Sequence, residues 1–137
     1  MQRAARLEPG RRRMLLCAIA FVAAASAAVR FLPFRRAIRF GAVDANSRPT
    51  RTDVLVSEAV WAVERAAGLL PVRAKCIEKG LALQRLLRGR GVPALLHYGV
   101  GKDGEGALAA HVWVEADGAV VLGGGEMAAF RRVATYP

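Results

Sequence analysis

Apolar residues change their spacing twice along this 137-residue chain. From Met14 to Val29 they run almost unbroken, and the run sits between Arg11-Arg12-Arg13 and Arg30. A helix is predicted from about Arg11 to Phe31, stopping before Pro33 because the residue ahead of a proline avoids the helical region. Phe34-Arg35-Arg36-Ala37-Ile38-Arg39-Phe40 then reads as a short basic amphipathic stretch. Residues 41–50, with Asp44, Asn46, Ser47 and Pro49, read as a linker. Leu55, Ala59, Val63 and Ala66 recur at helical spacing behind Thr52 or Asp53, either of which can cap the segment, and Gly68 closes it. A third helix is predicted from Cys76 to Arg88, ended by Gly89 and Gly91.

Beyond Pro93 the period falls to two. Residues 94–100 read as a strand and Gly101 to Gly106 as a turn-rich loop. Ala110 to Ala116 alternates cleanly, and Asp117-Gly118 is a two-residue hairpin signal before Ala119 to Leu122 returns. Helices first and an antiparallel sheet after them make an α+β layout. Two regions are expected, a basic helical segment over 1–50 and a catalytic domain over 51–137.

Composition adds an asymmetry. The net charge is +10, yet residues 1–52 hold eleven arginines against only Glu8 and Asp44, and the remainder holds ten basic residues against nine acidic. Such a basic end suits a membrane surface, an acidic partner or nucleic acid, and equally a solvated arginine-rich face. No recognised module or aromatic–basic interleaving accompanies it, so nucleic acid is not the expected partner. The run over residues 14–29 is short for a spanning helix, which needs roughly 20 apolar residues. Its charged lead and the small residues Ala24-Ala25-Ser26-Ala27 resemble a signal peptide. Basic residues on both sides argue against translocation, so a buried or membrane-surface helix is expected. Cys17 and Cys76 stand in unrelated contexts and no Cys/His ligand cluster is present. Neither a structural zinc nor a disulfide is therefore expected, and a cytoplasmic location is the simpler one.

Two residues carry candidate chemistry. Cys76 opens the third helix, where unpaired N–H groups and the helix dipole favour a thiolate, and Arg73, Lys75 and Lys79 add positive charge. His111 begins the central strand, where alternation puts it on one face with Trp113 and Glu115 while Val112, Val114 and Ala116 take the core face. Each has a plain structural reading, a packed cysteine and a satisfied histidine. Together they are the parts of a thiol–imidazole pair, in which the imidazole takes the thiol proton and returns it to the leaving amine. His97, Tyr98 and Trp113 can line a cleft or fill a core. Gln84 lies too far down its helix to serve an oxyanion, and the Cys76 N–H is the more economical donor.

The stretch PVRAKCIEKGLALQRLLRGRGVPALLHYGVG, followed by AHVWVEADGAVVLGG, resembles the lasso-peptide biosynthesis B2 family, a transglutaminase-like group. The shared features are a proline shortly before the cysteine, a Leu-Ala-Leu-Gln-Arg-Leu-Leu helix, a Gly-Val-Pro entry to the first strand, and a His-x-Trp-Val-Glu strand closing on Asp-Gly. The arginine-rich RFLPFRRAIRF segment is similar too, so the resemblance covers roughly residues 10–137.

It implies a transglutaminase-like, papain-like core and a cysteine peptidase that removes the leader from a lasso-peptide precursor, with Cys76 as nucleophile and His111 as base. It also implies a separate small leader-recognition protein, since this chain begins close to the catalytic part, and a macrocycle-forming synthetase that acts next. No cofactor is expected. ATP is linked to some members, but GKDGEG lacks the Lys-Ser/Thr ending of a phosphate-binding loop. The family's third residue is usually an aspartate on the returning strand, about where Gly123 stands. Asp117 and Glu115 lie about 20 and 13 Å from His111 at roughly 3.3 Å per residue. With a two-residue turn, Leu122 should pair with Trp113 and Gly124 with His111. Glu126 is then the nearest candidate carboxylate, and a main-chain carbonyl or water from residues 123–125 is the alternative.

Overall fold

The computed structural model describes residues 9–41, 52–70, 76–102, 105–124 and 130–136. Helix α1 spans Pro9–Phe31 and α2 spans Phe34–Ala37, continuing as a 3-10 turn over Ile38–Gly41. Helices α3 (Thr52–Leu69) and α4 (Cys76–Arg88) follow. Strands β1 (Ala94–Lys102), β2 (Leu108–Ala116), β3 (Ala119–Leu122) and β4 (Phe130–Tyr136) form one antiparallel sheet in the order β3-β2-β1-β4. The layout is α+β.

Helix α4 is the centre of the molecule. Leu81, Ala82, Leu83, Gln84, Leu86 and Leu87 are fully buried, as expected of a helix apolar on most sides. One side packs on the sheet and others meet α1 and α3. Each buried leucine contributes about 1.5–3 kcal/mol of transfer free energy, so this helix anchors both layers. Its C-terminus closes on Gly91 at φ +84°, with the Val92 N–H on the Leu87 carbonyl at 3.0 Å and the Gly91 N–H on that of Arg88 at 3.1 Å. That pairing satisfies the last carbonyls and buries Val92 beside Leu87.

Helix α1 joins through a stripe of Met14, Ala18, Val22, Ala25 and Ala28. Within it the buried Ser26 hydroxyl donates to Glu78 on α4 at 2.9 Å. The basic stretch after Pro33 is held by Arg85, whose guanidinium donates to the Phe40 carbonyl at 3.1 Å and lies over the Phe40 and Phe21 rings.

Two strand features differ from the sequence reading. Strand β4 was not anticipated, because Phe130-Arg131-Arg132-Val133 shows no clean alternation and its exposure is mixed. The β2–β3 ladder also departs from a plain two-residue turn. Asp117 and Gly118 both take positive φ, 53° and 80°, as a tight hairpin requires. Glu115 pairs with Val120 but Val114 with Leu122. The bulge lets both Val121 and Leu122 reach the core and moves Gly123, instead of Leu122, to the Trp113 level.

Candidate active site

The direction of α4 sets the relation of its first residue to the sheet. A Cβ on Gly80 would meet Leu96, Val112 and Val114, so the helix touches the middle of β1 and β2 there. Four residues on, the Gln84 side-chain amide donates to the Ala94 carbonyl at 3.2 Å and to the Tyr136 carbonyl at 2.9 Å. Ala94 pairs with Ala116, so α4 runs alongside β2 in the same direction. Stepping back from Gly80 to Cys76 covers four residues, about 6 Å of helix or roughly two residues of strand. The N-terminus of α4 therefore stands level with His111 along β2, although the body of the helix packs on the Val112 and Val114 face and the imidazole lies on the other.

His111 lies on the opposite face from Val112 and Val114, and is 8% exposed. Its Nε2 is 2.9 Å from the Gly123 carbonyl oxygen. A carbonyl only accepts, so Nε2 carries the proton, and the neutral ring has its basic lone pair on Nδ1. The hydrogen bond thus selects the tautomer as well as the tilt of the ring. Trp113 stacks against the imidazole with centroids 6.2 Å apart, and Phe130 of β4 closes on it at 5.2 Å.

Gly123 takes φ +78°, and a Cβ there would sit 2.7 Å from the Val112 oxygen and 3.3 Å from His111 Nε2. Only glycine fits this conformation without strain. At the place where the family resemblance leads one to expect an aspartate, the chain presents a main-chain oxygen.

The remaining carboxylates fall elsewhere. Glu115 faces His97, with its Oε1 accepting from Nε2 at 3.4 Å, while the Thr135 hydroxyl lies 2.9 Å from Nδ1. His97 is 3% exposed and its ring lies 5.7 Å from Trp113. Asp117 occupies the hairpin turn, and Glu126 lies outside the described residues. Trp113 also covers Gly99, where a Cβ would stand 2.8 Å from the indole. Gly99 pairs directly with His111, so the small residue lets the indole lie flat beside the imidazole. Tyr98 points to the helical side and meets Phe34 edge-on at 5.9 Å.

Sequence reasoning missed Phe130, because its strand was missed, and it missed the Thr135–His97–Glu115 chain. The second had a signal in the ladder: two strands in the observed register bring His97 opposite Trp113, one same-face step from Glu115.

Four helices, the last opened by a cysteine, and a small four-stranded antiparallel sheet are the layout of an α+β, transglutaminase-like domain. The profile of the transglutaminase-like superfamily matches residues 3–135, and the chain belongs to that superfamily. The superfamily includes cysteine peptidases, and its members are often cysteine-based enzymes. Neither a curated protein nor a solved structure matches the chain significantly.

Proposed function

We propose that this protein is a thiol peptidase that removes the leader from a lasso-peptide precursor, with Cys76 as nucleophile and His111 as general base and acid. The observation that carries the reading is the tautomer of His111. With Nε2–H donated to the Gly123 carbonyl, the neutral ring keeps its basic lone pair on Nδ1, and that nitrogen would take the thiol proton. The helix N-terminus beginning at Cys76 favours a thiolate through its dipole and offers N–H groups to an oxyanion.

The chemistry then runs in two halves. The Cys76 thiol passes its proton to His111 and the sulfur attacks the carbonyl at the leader–core junction, forming a C–S bond and a tetrahedral oxyanion. That intermediate collapses by breaking the C–N bond, and the imidazolium of His111 protonates the departing core amine. A thioester to the leader remains. Water, deprotonated by His111, attacks it and releases the leader as a carboxylic acid with the thiol restored. The specific substrate rests on the resemblance of the Cys76 and His111 segments to the lasso B2 family. A separate leader-recognition protein and a macrocycle-forming synthetase complete that proposal.

Mass spectrometry of the cognate precursor, incubated with this protein and its recognition partner, tests it. A leader-sized fragment made by wild type and by neither Cys76→Ala nor Cys76→Ser is the expected result; full cleavage by both variants would end the proposal. A second reading is favoured by one feature, the glycine at position 123 in place of an acid. In that reading the domain is a non-catalytic scaffold that binds the precursor or the synthetase. Precursor binding with a Cys76 inert to a mild alkylating agent would select it.

A further inference from the structure

Helix α1 carries an exposed apolar face that no other described residue covers. Gly10–Phe31 is long and apolar enough to cross a membrane, but only a third of its most apolar window is buried. At 100° per residue, Leu16, Ala20, Ala23, Ala24, Ala27 and Phe31 fall within an arc of about 100°. All six are exposed, Leu16 at 61% and Phe31 at 82%. The opposite arc is the Met14-to-Ala28 stripe that packs on α3 and α4. Ordinary solvent-facing helix surfaces are polar; this one has no polar side chain along about four turns.

Charge surrounds the apolar arc. Arg12, Arg13 and Arg30 are exposed and by the same spacing lie on or just beside it, at its two ends. Leu32 and Phe34 are exposed at 42% and 45%, next to the exposed Arg35 and Arg36. Arg11 is drawn away, its guanidinium 4.1 Å from the Trp61 ring. An apolar strip bracketed by arginines, with an aromatic cluster at one end, matches an interface that is apolar within and anionic at its surface.

We infer that α1 lies flat on an anionic lipid bilayer, its outward arc entering the headgroup–acyl boundary while its inward arc stays packed on α3 and α4. Charge complementarity chooses this occupant over a second copy of the chain. Two such faces laid together, parallel or antiparallel, bring arginines of one against arginines of the other. A spanning orientation is also disfavoured. It would pull the buried stripe, and the Ser26 hydroxyl bonded to Glu78, out of the protein. The surface does not depend on the peptidase reading, because none of its residues belongs to the site around His111.

The test is co-sedimentation of the full chain with vesicles of phosphatidylcholine alone and of phosphatidylcholine with phosphatidylglycerol, at low and high salt. Binding is expected to the anionic vesicles only, and to weaken with salt. Ala20→Glu/Ala24→Glu and Arg12→Glu/Arg13→Glu are each expected to lower the partition coefficient at least about tenfold. Glutamate is a good helix former and both alanines are exposed, so the melting temperature should hold and separate lost binding from lost fold. No sedimentation with anionic vesicles, or binding that both double variants retain, overturns the inference. So does salt-resistant, integral insertion. A dimer in light scattering that Ala20→Glu/Ala24→Glu dissolves would give the face to a second copy and overturn it as well.

Discussion

The two faces of the sheet are built from different materials. The face toward α4 is aliphatic: Ala94, Leu96, Val112, Val114 and Ala116 are all buried, and Gly80 brings the helix backbone close to them. The other face is aromatic and titratable, carrying His97, Trp113, His111 and Phe130, with Glu115 and Thr135 hydrogen-bonded at its margin. Aliphatic side chains on one face bind through area alone and tolerate repacking. Rings on the other hold one another at set angles, which suits the proton transfer proposed for His111. One strand thus gives its even positions to the aliphatic core and its odd ones to the ring cluster around His111.

Substitutions on the two faces should therefore separate in what they change. The largest effect is expected at the two residues of the proposed pair: Cys76→Ala and His111→Ala each lower precursor cleavage at least about a thousandfold while leaving a cooperative thermal transition. Cleavage within tenfold of wild type in either variant would merge the two faces into a single structural role. Next comes Leu96→Ala on the aliphatic face, which should cost about 2–5 kcal/mol in urea denaturation with activity per folded molecule unchanged. Gly123→Ala belongs to both faces. The left-handed backbone should cost about 1–3 kcal/mol, and cleavage should fall further than the lost stability explains, because the carbonyl moves from His111. If activity tracked the folded fraction alone, the tautomer assignment would lose its support. The smallest effect is expected for Glu115→Gln. Its carboxylate is a third exposed and 3.4 Å from His97, so the loss should be about 0.2–1 kcal/mol, read as a small shift in the urea midpoint.

Much of the fold was legible because its elements carry strong local signals. The helix of Cys76–Arg88 announces itself by an apolar run stopped by glycines, and the Asp117-Gly118 hairpin by the residues its positive φ angles demand. The core face of Val112 and Val114 follows from alternation. Strand β4 was not legible, since Arg131 and Arg132 interrupt its pattern and its place beside β1 is decided by pairing across the chain. The acceptor of His111 was only half legible. Counting from the hairpin put Gly124 opposite the imidazole. The bulge at Val121, which no residue type demands, moved the ladder by one and brought Gly123 to the indole's level. Glu126, the carboxylate singled out by counting, lies outside the described residues. Gln84 illustrates the same limit from another side: its bonds to Ala94 and Tyr136 depend on partners up to 52 residues away.

The carbonyl of Gly123 has a consequence for how this protein tolerates change. Every amino acid brings a main-chain oxygen, so no codon exchange can delete this acceptor; only a different path of the turn can. Because φ is +78° and a Cβ would meet the Val112 oxygen at 2.7 Å, any side chain bends that path, and the position should be intolerant in a saturation library while contributing no side-chain atom. A survey by residue chemistry would pass over it as a spacer, whereas a survey by permitted substitutions would rank it beside Cys76, the proposed nucleophile.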